Sequence, residues 1–173
     1  MVAFDKYGLS LRTVVENDAD FIVQLRTDPK LSKHLSSTST DIEKQKEWIR
    51  DYKERELHRN EYYFLISSNE GPVGLNRLYN FKEDTFEIGS WLFKPTANEK
   101  YSILGDLAAR DYGFEELHFS FCTFEVRKEN KSVLRYHKQF KPEAIGVDSD
   151  NFYFKLSYNS YKCYRDKLLS ILL

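Results

Sequence analysis

The stretch Thr85–Pro95 constrains the fold more than any other part of the chain. Phe86, Ile88, Ser90 and Leu92 fall on one face and Glu87, Gly89, Trp91 and Phe93 on the other, the period-2 pattern of a strand. Pro95 has no N–H to give to a ladder and ends it. A polar loop, Thr96–Lys100, then leads into a helix predicted over 101–116, with Leu104, Leu107, Ala108 and Tyr112 at helical spacing. A strand that passes through a short polar loop into a helix N-terminus suits a phosphate, because unpaired amides and the helix dipole face the loop. One acid, Glu87, lies mid-strand among apolar neighbours.

The rest of the chain predicts elements around this unit. A first strand spans 9–14, and Asn17 caps a helix stopped by Pro29. Thr40-Asp41-Ile42-Glu43 reads as a capping box that opens a second helix to about Glu56. Strands at 62–67 and 73–79 precede the central one, joined by the polar turns Asn69-Glu70-Gly71 and Lys82-Glu83-Asp84. Turns this short make an antiparallel meander. A Phe-rich strand over 118–126, buried on both faces, follows the long helix. Asn130 caps a further helix broken by Pro142 and Gly146, a last strand covers 151–158, and a helix covers 161–173. With no repeat, linker or low-complexity tract, residues 1–173 are expected to form one domain.

Charge excludes several function classes. With 26 basic and 27 acidic residues there is no electrostatic footprint for nucleic acid or a membrane surface. Cys122 and Cys163 have no metal-binding spacing, and two free thiols fit a reducing cytosol. The first residues lack a signal-peptide apolar core, and no apolar run reaches spanning length. A soluble cytoplasmic protein without a metal, monomeric or homodimeric, is expected. The apolar end Leu168–Leu173 reads as a docked helix.

In element order, and in three sets of residues, the chain resembles the GNAT N-acetyltransferase superfamily. The sets are Phe86-Glu87-Ile88-Gly89, the loop and helix after it, and Asn130–Phe140, which is similar to the family's Asn-x-x-Ala-x-x-x-Tyr-x-x-x-Gly-Phe helix. Leu25–Pro29 and Gln45 with Trp48-Ile49 resemble two groups within it, the ribosomal-protein alanine acetyltransferases and the nucleotide-linked amino-sugar acetyltransferases of surface-polysaccharide synthesis. The strand, loop and Asn130 helix match the second group in spacing. The resemblance implies an α/β fold: a mixed, mostly antiparallel sheet with helices on both faces and central strands that splay apart. It implies transfer of an acetyl group from acetyl-CoA to a primary amine of a small molecule, a nucleotide-linked amino sugar, by direct attack in a ternary complex. A protein N-terminal acetyltransferase and a non-catalytic acyl-CoA-binding protein remain alternatives.

Acetyl transfer needs a base for the amine, stabilisation of the oxyanion and a donor for the leaving thiolate. The resemblance puts Glu87 in the base role, directly or through a water, and His137 beside the thiolate, with Tyr136 the alternative if the register slips by one. A structural role is open to each: Glu87 paired with Arg77 across the meander, and His137 capping the edge of the core. By the same resemblance, backbone groups of Gly89, Trp91, Leu92 and Phe93 pair with the pantetheine arm, and Asn130 contacts it while capping its own helix. The phosphate loop departs from the family pattern, with no glycine before Gly105. Asn98, Lys100, Tyr101 and Ser102 are left to hold the pyrophosphate. Arg26, His34, Trp48 and Arg77 are candidates for the acceptor side.

Overall fold

The computed structural model describes residues 1–173. Eight strands form one sheet: β1 Ala3–Lys6, β2 Leu9–Thr13, β3 Tyr62–Ser68, β4 Gly71–Lys82, β5 Thr85–Phe93, β6 Phe121–Arg127, β7 Glu143–Val147 and β8 Asn151–Ser157. Their spatial order is β1-β2-β3-β4-β5-β6-β8-β7. Every neighbouring pair is antiparallel except β5 and β6. Five helices cover both faces: α1 Ala19–Thr27, α2 Ile42–Leu57, α3 Glu99–Asp111, α4 Lys131–Lys138 and α5 Tyr158–Leu172. One core joins α3, α4 and α5 to the sheet, and a smaller one packs α1 and α2 on the opposite face. No helix is long and apolar enough to cross a membrane.

The mixed, mostly antiparallel sheet with helices on both faces matches the expected fold, but β5 does not alternate to its end. Ser90 takes a positive φ of 50°. Arg77 of β4 faces Gly89 while Leu75 faces Leu92, so one β4 residue, Asn76, is set against two of β5. This bulge reverses the faces. Phe86 and Ile88 lie in the larger core; beyond Ser90, Leu92 joins the smaller one and Phe93 the larger. A strict alternation puts Leu92 with Phe86 and Ile88, and that is corrected here.

Other boundaries move for local reasons. At the start of α1 the side chain that closes the turn is that of Asp18, which accepts the Val15 amide at 2.8 Å, and not that of Asn17. Asp41 rather than Thr40 caps α2, accepting the amides of Glu43 and Lys44. Asn98 caps α3 and Asn130 caps α4. β6 begins at Phe121 and not at His118, whose φ of 61° is outside the strand region, and it buries one face instead of two, with Phe121, Thr123 and Glu125 on the open side. The long helix ends as a wide π turn over Tyr112–Glu116. Two strands have no counterpart in the sequence prediction. β1 is joined to β2 by Tyr7-Gly8, both at positive φ, and β7 is exposed throughout.

Gly105 lets α3 lie directly on β5: a Cβ there would stand 2.5 Å from the Phe93 ring and 3.0 Å from Ile66. Phe93 is also flanked by Gly74, whose Cβ would meet the same ring at 2.5 Å. The ring therefore has no direction in which to retreat. Gly105→Ala should cost about 1–3 kcal/mol of stability through overpacking, despite alanine's better helix propensity. A thermal melt that shows equal or higher stability would contradict this packing.

Candidate active site

β5 and β6 pair over three positions only, Thr85 with Phe121, Phe86 with Cys122 and Glu87 with Thr123. Beyond Glu87 they part. The parting opens a cleft of about 630 Å³, lined from β5 by Ile88–Leu92, from β6 by Phe124–Arg127 and from the α4 side by Asn130, Val133 and His137. The β5 edge that faces it has no strand partner, so its amides and carbonyls are free to pair with an extended chain such as a pantetheine arm. Asp106 and Arg110 of α3 form part of the wall.

Gly89, Trp91, Leu92, Asn130 and His137 meet at this cleft. The Phe93 ring is locked between glycines, so only its backbone is available. Trp91 packs on Tyr136 and His137 and donates its indole N–H to the Ser102 carbonyl at 2.9 Å, which fixes it over the start of α3. Asn98, Lys100, Tyr101 and Ser102 stand at that helix start, outside the cleft lining. Asn98 uses its side-chain oxygen on the Lys100 amide and its carbonyl on the Tyr101 amide, and the Ser102 hydroxyl bonds the Glu99 carbonyl. These groups satisfy one another, and the Lys100 ammonium lies over the Tyr101 ring, 5.9 Å from its centroid.

Glu87 is not paired with Arg77. Its two oxygens accept from the Tyr79 hydroxyl and from Asn80 Nδ2, each at 2.8 Å. Arg77 instead donates to Glu61 at 2.5 Å and lies between the rings of Trp48 and Tyr79. Tyr79 itself lines the cleft, and a Cβ on Gly89 would come within 2.9 Å of its hydroxyl. The phenol thus stands between the carboxylate and the cleft. Sequence reasoning passed over Tyr79, although it faces Glu87 directly across the β4–β5 ladder.

His137 belongs to a buried polar group that the sequence reading also passed over. Arg110, fully buried, donates to Asp106 at 2.9 Å, to the Cys122 sulfur at 3.3 Å and to His137 Nδ1 at 3.3 Å. The Tyr136 hydroxyl donates to Asp106 at 2.8 Å, which removes it from the cleft. Because the guanidinium can only donate, His137 Nδ1 must accept and the proton resides on Nε2. Burial first, and the Arg110 charge second, depress the His137 pKa to about 3. Burial pushes the Cys122 thiol up to about 12, which removes it as a nucleophile.

The sign of the His137 shift makes a prediction. The folded state keeps the ring neutral, whereas the unfolded chain protonates it below the ordinary 6.5. Its contribution is therefore intact above pH 6.5 and is lost progressively as the pH falls toward 3, at about 1.4 kcal/mol per pH unit. His137→Gln should flatten that slope in urea titrations between pH 7 and 4; an unchanged slope would mean that the ring is protonated in the fold.

A second cavity, about 380 Å³, lies between α1, α2 and the segment that joins them. Arg26, Trp48 and Arg77 meet there; His34 lines the cleft. The residues between the helices supply four consecutive hydroxyls, Ser36-Ser37-Thr38-Ser39. Arg26 is bonded only to hydroxyls, those of Thr38 and Ser36, and neither it nor Lys44 has a carboxylate within ion-pair distance. Arg26, Ser36, Arg77 and Ser90 line both spaces, so the cavity and the cleft join at the β5 bulge.

The family model for the acetyltransferase (GNAT) domain matches residues 9–140. No curated protein matches the chain. Among solved structures, apo FdhC, described as a nucleotide-linked sugar GNAT, is 34% identical over 99% of both chains, with a TM-score of 0.88. Ribosomal-protein-S5-alanine acetyltransferase from Vibrio fischeri is 13% identical over 93% of this chain and 99% of its own, with a TM-score of 0.77. Spermidine N-acetyltransferase from Vibrio cholerae, solved with CoA and spermine, is 15% identical over 91% and 99%, with a TM-score of 0.76. The last two share the fold. On the family match and the full-length 34% identity, the chain belongs to the GNAT acetyltransferases and is an acyl-CoA-dependent N-acetyltransferase.

Proposed function

We propose that the protein transfers an acetyl group from acetyl-CoA to the primary amine of a nucleotide-linked amino sugar. The observation that carries this reading is the cation-rich, hydroxyl-lined cavity that opens onto the cleft at Ser90. Arg26, Lys44 and Arg77 face it against one carboxylate, that of Asp41, which is occupied in capping α2. Two of those cations have no acidic partner, an arrangement suited to an anionic, hydroxylated acceptor such as a sugar diphosphate. A polyamine would meet repulsion there. The 34% identity to a nucleotide-linked sugar GNAT supports the same choice.

The free edge of β5, Trp91 and Asn130 would hold the pantetheine arm, and the acetyl-CoA thioester supplies the activated carbonyl. Glu87 takes the amine proton through the Tyr79 hydroxyl, which donates to it. His137 offers Nε2–H to the departing sulfur as a neutral hydrogen-bond donor, since an imidazolium is not populated at neutral pH in that environment. The free thiols of Cys122 and Cys163 fit a cytoplasmic location. Thiol release from acetyl-CoA, measured with nucleotide-linked amino sugars, N-terminal peptides and spermidine, tests the assignment. Release with the sugar nucleotides alone is expected, and release only with peptides or polyamines would overturn it.

A further inference from the structure

Tyr63 of β3 sits on the floor of the second cavity, 2% exposed. Its ring is wedged edge-on against Trp48 and Tyr52, at 85° to each, and its backbone amide donates to the Tyr52 hydroxyl at 2.9 Å. The ring is thus fixed from two sides. Its own hydroxyl is the one buried side-chain polar atom in the protein without a hydrogen-bond partner. Leaving such a group unpaired costs free energy, and phenylalanine would fill the same space without that cost. Packing therefore does not explain the hydroxyl.

Its surroundings indicate what it needs. Burial holds the phenol in its protonated form, so it is a donor in search of an acceptor. Arg26 and Ser90 are its nearest polar neighbours: the guanidinium can only donate, and the Ser90 hydroxyl, which could accept, does not reach hydrogen-bonding geometry with it. Arg26 and Ser90, both beside the hydroxyl, line the junction of cavity and cleft, where an acceptor amine would meet a thioester.

We propose that the Tyr63 hydroxyl is completed by an oxygen of the bound acceptor, a sugar hydroxyl or ring oxygen near the reacting amine, which makes Tyr63 a specificity-determining residue for oxygen-bearing amines. The proposal rests on the amino-sugar reading and sharpens it. A site built around a trapped donor discriminates strongly against an analogue that lacks the matching oxygen, because the donor then stays buried and unpaired.

The test compares wild type with Tyr63→Phe on a panel of UDP- and dTDP-linked amino sugars, an alanyl peptide and spermidine, with acetyl-CoA as donor and unfolding midpoints recorded alongside. For the best oxygen-bearing acceptor, kcat/KM should fall about tenfold to a hundredfold, chiefly through KM. The KM for acetyl-CoA and any residual rate on spermidine should hold, and the midpoint of the unliganded variant should equal or exceed wild type. Unchanged kinetics would mean the hydroxyl is idle or satisfied by solvent, and would overturn the proposal. A lower midpoint or failure to fold would overturn it too, by assigning the hydroxyl a structural role. If the peptide is the best substrate, the sugar reading fails, while the effect of Tyr63→Phe on that peptide still decides the role of Tyr63. Turnover of spermidine alone, or of no amine, overturns both.

Discussion

Replacing Glu87 by Gln should lower kcat about 10²- to 10⁴-fold near pH 7, the usual worth of a positioned general base. The amide is nearly isosteric but cannot take the amine proton. The frame around it can persist, since the Tyr79 hydroxyl, which donates to one oxygen of Glu87, can turn to accept from the new amide N–H while Asn80 Nδ2 keeps the remaining oxygen, so the loss reports the base itself. The deficit should shrink as the pH rises, because bulk solvent then supplies an increasing fraction of neutral amine. A variant profile that climbs with pH toward a wild-type plateau is the signature. Tyr79→Phe separates two routes: if the proton passes through the phenol, its kcat should fall nearly as far, and if a water carries it, most activity should survive. Full activity of Glu87→Gln at pH 6 would sink the assignment of the base.

Much of the frame around Glu87 could be read from residue patterns, since its determinants are local. Tight polar turns specify the β3–β4–β5 meander, and the Asn130 cap follows from side-chain chemistry at one position. The bulge at Ser90 was not legible. Serine carries no mark of a positive φ, and Asn76, the single residue set against Ser90 and Trp91, lies on another strand. β7 escapes notice because an exposed edge strand has no buried face to imprint an alternation, and it follows Pro142 directly and contains Gly146. The site residues missed share a different cause. Asp106 and Arg110 are spaced i, i+4, a pattern no different in sequence from a solvated pair on an amphipathic helix, but residues 104–111 of α3 are buried without interruption. Tyr63 sits in a run that reads simply as aromatic strand; the loneliness of its hydroxyl emerges only when every neighbour is in place.

That enclosure of α3 leads to the second large effect. Arg110→Met should destabilise the protein by about 3–5 kcal/mol, because the Asp106 carboxylate stays buried, 1% exposed, without its cation. For a chain of this length the fall corresponds to roughly 6–20 °C in the melting midpoint. Asp106→Leu combined with Arg110→Met should recover much of the loss, since two apolar groups of similar volume leave no charge stranded. Acid should soften the single variant's defect. In the wild type Arg110 helps hold His137 neutral; without it the ring, close to Asp106, binds a proton more readily and supplies a replacement cation. The gap between Arg110→Met and wild type should therefore narrow as the pH falls from 8 to 5, and the narrowing should shrink when His137→Gln is placed in both proteins, so that neither carries the ring. If the gap instead stays constant with pH while the double apolar variant is no more stable than Arg110→Met, then Asp106, Arg110 and His137 do not form one electrostatic unit, and the neutral-donor role of His137 loses its physical basis.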